Sequence, residues 1–355
     1  MTSDKSTEPR LGIIGCGAIV EHAHLPTMKE LGIRPALLVD PDEAQTRKLA
    51  AKFKGGATAT KLGPSHYDMI DAALVAAPNT LHTPICLDLL QNGIDVLVEK
   101  PMATTVADCE RIVAAVEASE AILAVGYIMR HAPIIEWTTG VLKAGLLGEV
   151  RSFDISWGEA FDWGLNSNSL WRKEVSGGGV LVDFGTHICD LVGEWFGDFA
   201  TVDYRDDNYG GVEADCLIEL EMASGAKGTV ELSKTRSLRN SAVIEGAKGR
   251  LEISILKPVQ EVSASDDVLA YRHEGMAPAD MPERLDMNSW FARQMKSFMD
   301  SVRQRETPRV TARDGLRSVR LTETCYEVRQ PWELPWVRPK LQTKLQQPSP
   351  ARESA

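Results

Sequence analysis

At 355 residues the chain exceeds what one hydrophobic core usually serves, so two domains are expected, and 43% hydrophobic with 25% charged residues excludes a disordered chain. A formal net charge of −11 with no run of Lys or Arg argues against nucleic acid as a partner. Cys16, Cys86, Cys109, Cys189, Cys216 and Cys325 are scattered singly, without metal-ligand spacing, and no stretch of about 18 apolar residues offers a membrane span, so no metal, no membrane and a reduced cytoplasmic setting are expected.

In chain order, Leu11 to Val20 reads as a strand, a glycine turn and the start of a helix, and Ala36 to Asp40 as the next strand. Gly15 allows a sharp turn. Gly17, followed by Ala18 and Ile19, lets the backbone approach a pyrophosphate at a helix N-terminus. Asp40 is placed to accept hydrogen bonds from an adenosine ribose, and its charge would repel a 2′-phosphate, so NAD is expected over NADP. The third glycine position of this fingerprint holds Val20 instead. Asp42 to Phe53 predicts a helix, Ala72 to Ala77 a buried strand stopped by Pro78-Asn79, and Pro84 to Gln91 a helix ended by Asn92-Gly93. Val96 to Val98 predicts a strand running into Glu99-Lys100-Pro101, Thr105 to Asp108 a capping box opening a helix to about Ala118, and Ile122 to Val125 a further strand. This alternation predicts an α/β dinucleotide-binding domain of the Rossmann type over residues 1–126, a doubly wound parallel sheet. Gly15 to Gly17, Asp40, Pro78, Asn79, Glu99, Lys100, Pro101 and Tyr127 all follow strand ends and should line one crevice.

Past Gly126 the period changes. Ala214, Cys216, Ile218, Leu220 and Met222 alternate with polar residues, and the segments around Val230 and Leu251 repeat the pattern. An α+β domain with an open, mainly antiparallel sheet is expected over 127–330. Phe291, Met295, Phe298 and Val302 predict a late helix packed into a core. Prolines from Pro331 onward predict a tail over 331–355, with Trp332 and Trp336 available to pin it. An open sheet covered on one face also predicts a homo-dimer or homo-tetramer formed through the other.

The segment Gly177 to Leu191 carries a second signal. Asp183 and His187, four apart, fall on one face of a helix, so the acid can orient a ring that exchanges protons; an Asp/His pair that merely satisfies itself is the competing reading. The triple glycine before it would let a substrate approach the backbone. Lys100 at the crevice edge can stabilise an alkoxide, or be a solvated strand-end charge. Trp157, Phe161, Trp163 and Trp171 offer rings to a sugar, or build the core. Glu159 and Asp162 could bond hydroxyl groups.

On these residues the sequence resembles the Gfo/Idh/MocA family of nicotinamide-dependent oxidoreductases. The matching features are the glycine turn with His24-Leu25-Pro26, Pro78-Asn79-Thr80-Leu81-His82, Glu99-Lys100-Pro101, Gly126-Tyr127 with Arg130, Trp171-Arg172 and the Asp183-x-x-x-His187 helix after Gly177-Gly178-Gly179. Val20 and Ile128-Met129 depart from the pattern. The resemblance implies a dehydrogenase acting on a sugar, inositol or related polyol, with Lys100 and His187 as acid/base groups and Asp183 as partner of His187. It also implies His82 and Glu99 beside the cofactor and Tyr127, Arg130, Trp157, Trp171 and Arg172 toward the substrate. A redox-neutral enzyme holding NAD tightly, or a non-catalytic NAD-binding regulator, would share the same frame.

Overall fold

The five apolar runs read in the first 126 residues become parallel strands β1 (Leu11–Ile14), β2 (Leu37–Val39), β4 (Ala72–Val75), β5 (Asp95–Val98) and β6 (Leu123–Val125), and a sixth, β3 (Ala57–Ala59), which its exposed residues did not mark in the sequence, joins them in the order β3-β2-β1-β4-β5-β6. The computed structural model describes residues 8–160, 176–208, 211–256, 261–281 and 286–332. Register is tight across the centre, with Ile14 opposite both Val39 and Val75, and Val75 opposite Val98. β1, β4 and β5 are buried along their whole length, which is why they read as continuous apolar runs rather than alternations. Strand order reverses between β1 and β4, so the crevice beyond their carboxyl ends is where this fold takes a ligand.

The helices between the strands start where short polar side chains can cap them. Asp42 accepts from the amides of Ala44 and Gln45 to open the helix Glu43–Phe53, and the Thr105 hydroxyl accepts from Asp108 N to open Val106–Glu117. A late helix, Met287–Gln304, returns to this sheet: Met295, Phe298, Met299 and Val302 share a core with Leu11, Ile13, Leu38 and Leu74. Its periodicity marked a buried face; which sheet it would cover was not in the sequence, since its partners lie more than 200 residues upstream.

The second sheet has eight strands: β7 (Val150–Gly158), β8 (Phe199–Asp206), β9 (Asp215–Met222), β10 (Lys227–Ser233), β11 (Ser241–Gly246), β12 (Arg250–Ser254), β13 (Val262–Ser263) and β14 (Gln330–Pro331), ordered β13-β12-β11-β7-β10-β9-β8-β14. β9 and β10 form the antiparallel pair expected from their alternation and β8 extends it, but the third alternating segment, β12, pairs with β11 instead of β10, and β10 runs parallel to β7 and β14 parallel to β8, so the sheet is mixed. One face packs Phe153, Ile155, Ile218, Val230 and Leu232 against the helix Thr186–Phe196, whose side chains are buried nearly all round. The register pairs of the other face, Asp154 with Thr229 and Thr229 with Glu219, are polar. Among the described residues no helix is long and apolar enough to cross a membrane.

Candidate active site

The glycine turn is built around one positive φ. Gly15 has φ +93, and a Cβ there would meet Ala77 N at 2.5 Å, so any other residue collides with backbone. Gly17 differs: a Cβ would meet nothing within 4 Å. No protein neighbour requires that glycine, and the space left over an exposed turn at a helix start is what a dinucleotide pyrophosphate needs. Asp40 lies beneath the turn, accepting Cys16 N–H on Oδ2 at 2.8 Å and Asp42 N–H on Oδ1 at 2.9 Å, with lone pairs remaining for a ribose. These residues fit NAD(P). Val20, the departure from the fingerprint, begins a π-helical turn, Val20–His24, that runs into the helix Leu25–Glu30. The wider i→i+5 turn accommodates a fully buried β-branched side chain beside Cys16 and Leu25.

A cavity of about 230 Å³ opens where the two sheets meet, lined on one side by Pro78, Asn79, Lys100 and Pro101 and on the other by Ser176, Gly179, Val182, Asp183 and Lys234. Four of the strand-end residues expected to converge therefore do so. Lys100 Nζ donates to the Asp183 main-chain oxygen at 2.8 Å and to Oδ1 at 3.2 Å. Lys234 Nζ donates to Asp183 Oδ2 at 2.6 Å. Burial alone would raise the Asp183 pKa, but the two ammonium groups outweigh it and bring it down to about 2.

The expected Asp183–His187 pair does not form. Asp183 lies in a π-helical segment, Leu181–Gly185, that precedes the helix starting at Thr186, so the four-residue spacing no longer stacks the two side chains as in an α-helix. Both carboxylate oxygens go to lysines instead. His187 is buried, with Nδ1 lacking a hydrogen-bond partner, and its ring lies 6.0 Å from Tyr127 and 6.2 Å from Trp157. Burial first, and then the charge of Lys100, push its pKa down to about 3, so the imidazole is neutral. The triple glycine also has a different reason. A Cβ on Gly178 would lie 2.0 Å from the Tyr326 hydroxyl, and one on Gly179 would lie 1.9 Å from Glu213 O. Glu213 Oε1 accepts from Gly179 N, Leu181 N and the Tyr326 hydroxyl, capping the start of the helical segment.

Several other residues serve the frame. Arg130, expected toward the substrate, is 4% exposed and clamped bidentately on Asp190, at 2.6 and 2.7 Å, with a further bond to Glu194. These three bonds hold the 128–131 turn to the helix Thr186–Phe196. Tyr127, also expected in the crevice, is fully buried with its hydroxyl on Thr186 Oγ1. His82 is buried between two main-chain oxygens, of Pro101 and Ala77, each 2.9 Å from a ring nitrogen, and so ties together the two loops that carry Asn79 and Lys100. Burial lowers its pKa, while the two main-chain oxygens favour the charged ring, the form that can donate to both. Glu99 accepts from His24 Nε2 at 2.7 Å and Lys100 N at 3.3 Å; burial opposes its charge, but His24 and Lys100 keep its pKa below the usual carboxylate value. Trp157 stacks on Phe184 at 4.3 Å. Phe161, Asp162, Trp163, Trp171, Arg172 and Trp336 lie outside the described residues.

A glycine turn open to a pyrophosphate, an acid at the second strand end and a lysine-bearing cavity at the switch point define a dinucleotide-dependent oxidoreductase. Two family models extend over these elements: the oxidoreductase family with an NAD-binding Rossmann fold matches residues 9–127, and the GFO/IDH/MocA C-terminal domain matches residues 139–252. The chain belongs to the Gfo/Idh/MocA family of NAD-binding oxidoreductases. It is 31% identical over 186 residues to a putative UDP-kanosamine synthase oxidoreductase subunit of Amycolatopsis mediterranei, a match covering 52% of this chain and 50% of that protein. It is 23% identical over 325 residues to the dTDP-3,4-didehydro-2,6-dideoxy-alpha-D-glucose 3-reductase of Actinomadura kijaniata, covering 88% of this chain and 93% of the relative. Among solved structures, a levoglucosan dehydrogenase in complex with NADH and levoglucosan superposes with a TM-score of 0.79 at 19% identity, over 91% of this chain and 97% of that one. An aldose-aldose oxidoreductase from Caulobacter crescentus, complexed with glycerol, gives 0.77 at 23%, with the same coverage. At these identities the structural likeness establishes the fold.

Proposed function

We propose that this protein is an NAD-dependent dehydrogenase or reductase acting on a secondary alcohol or ketone of a sugar, inositol or related polyol. The observation that carries the proposal is the Lys100 ammonium, fixed by Asp183 in the wall of a cavity at the carboxyl ends of β4 and β5. When bound, the nicotinamide supplies the hydride acceptor. Gly15 and Gly17 would cradle the pyrophosphate, Ala18 and Ile19 the start of the helix beside it, Asp40 the adenosine ribose, and Pro78, Asn79 and Glu99 the nicotinamide end.

Lys100 donates to the reacting oxygen and stabilises the alkoxide charge that develops there as the hydroxyl proton leaves, before the oxygen becomes a carbonyl. His187 is the candidate to take the hydroxyl proton: burial keeps its ring neutral, but Nδ1 is enclosed by the protein without a partner and the residue stands behind Asp183 rather than among those lining the cavity. Asp183 remains ionised and anchors Lys100. Trp157, stacked on Phe184 near His187, lies where the apolar face of a sugar ring could rest. The Asp40 carboxylate, with no arginine in Pro41-Asp42-Glu43 to take a 2′-phosphate, supports NAD over NADP.

The test is a screen of sugars and polyols by NADH absorbance with NAD⁺ and NADP⁺ in parallel, alongside Lys100→Met. The expected result is turnover of at least one polyol, faster with NAD⁺, and a drop of roughly 10²-fold or more in kcat for Lys100→Met with NADH binding retained. A clear NADP⁺ preference would overturn the cofactor assignment, and wild-type rates in Lys100→Met would overturn the role of the lysine.

A further inference from the structure

The cavity wall contains a second lysine that the motifs do not single out. Lys234 immediately follows β10, its amide held by Ala214 O at 2.8 Å, and its side chain is 6% exposed. Its ammonium lies 2.6 Å from Asp183 Oδ2 and 5.1 Å from the centroid of the Phe184 ring. Asp183 is therefore gripped from two sides, by Lys100 from the first sheet and by Lys234 from the second. The two grips are unequal. Lys234 holds its oxygen at 2.6 Å, whereas Lys100 reaches Oδ1 at 3.2 Å and makes its shorter bond, 2.8 Å, to the uncharged main-chain oxygen of the same residue.

A carboxylate facing one ammonium group settles on it with both oxygens, and an ammonium so held gives little to a substrate. We propose that Lys234 is a positioning residue for Lys100: by holding Oδ2 it keeps the Asp183 carboxylate from closing on Lys100 and leaves the Lys100 ammonium directed at the cavity. Phe184 supports this geometry, because its ring face favours a cation and keeps the Lys234 stem in place. The inference rests on the reading of Lys100 as the group that meets the substrate oxygen.

Two measurements on the full-length protein test it. The first needs no substrate: the initial rate of Lys100 acetylation by acetic anhydride, followed by peptide mass spectrometry, in wild type, Lys234→Met, Lys234→Gln and Lys234→Arg. The expected result is a rate roughly 3- to 10-fold slower in the Met and Gln variants, where Asp183 is left to Lys100 alone, with Lys234→Arg close to wild type. The second is kinetic: kcat roughly 10- to 100-fold lower in Lys234→Met, with KM for NAD⁺ within about twofold of wild type, and recovery in Lys234→Arg. Unchanged Lys100 acetylation in whichever of the Met and Gln variants folds overturns the inference, and so does a wild-type kcat in that variant. If acetylation slows as expected but wild-type protein oxidises no polyol, the proposed function falls and the positioning role stands. If wild type is active, Lys100→Met is inactive and the Lys234 variants match wild type in both measurements, the proposed function stands and the positioning role falls.

Discussion

Alanine at the two turn glycines separates a glycine the fold needs from one the ligand needs. At Gly15 the new Cβ meets Ala77 N at 2.5 Å and the Ala76 carbonyl at 2.6 Å, at a φ of +93. The left-handed backbone costs about 1–2 kcal/mol, and a collision with backbone that cannot rotate away costs about 1–3 kcal/mol more. The sum, about 2–5 kcal/mol, corresponds in a protein of this size to a fall of roughly 3–7 °C in Tm. At Gly17 the Cβ meets no protein atom within 4 Å, and its φ lies outside the positive region, so Gly17→Ala should melt within about 1 °C of wild type. The same methyl group stands where the pyrophosphate must approach the helix start. Losing that approach is expected to weaken NADH binding by roughly 10- to 100-fold, or about 1.4–2.8 kcal/mol. Differential scanning fluorimetry gives the first quantity and NADH fluorescence titration the second. Wild-type NADH affinity in Gly17→Ala would refute the cradle, and an unchanged Tm in Gly15→Ala would refute the packing argument.

Two further outcomes concern pH and assembly. His187 is buried with its pKa pushed down to about 3, while an unfolded chain takes its histidine proton near 6.5, so the unfolded state binds the proton first as pH falls. The neutral ring therefore costs nothing above about pH 6.5 and destabilises the fold progressively between about 6.5 and 3, by about 2 kcal/mol at pH 5. His131, pushed to about 3 by burial and three arginines, acts in the same direction. His187→Asn should remove its share, so that Tm falls less between pH 7 and pH 5 than in wild type; parallel Tm–pH curves would contradict this. Association through the open face of the second sheet is expected to give a dimer or tetramer by light scattering. A monomer at every protein concentration would exclude it.

How far the chain could be read from its sequence depended on whether a feature is settled locally. The parallel sheet was legible because its strands are buried on both faces and carry their own stop signals, as at Val98 before Glu99-Lys100-Pro101. β7 and β8 were harder, since they pair with partners tens of residues away and interleave charges such as Asp154 and Asp203 with their buried positions. The site divides along the same line. Lys100 could be located because a short motif ends a strand beside a predictable crevice, whereas Asp183 was read only as the partner of His187 and its bond to Lys100 had no signal in the spacing. The Asp183–His187 pairing failed because a single π-helical turn, invisible to residue spacing, rotates one against the other, and Arg130 was misread because its partners Asp190 and Glu194 declare themselves only once the 128–131 turn is packed on their helix. Lys234 had no local signal. Seen in sequence it is a charge at the end of an amphipathic strand, and it acquires meaning only because β10 delivers it to Asp183 Oδ2 on the side opposite Lys100. A carboxylate shared by Lys100, at the end of β5, and Lys234, at the end of β10, also links the two sheets electrostatically, so that a change at either lysine is felt at the other through Asp183.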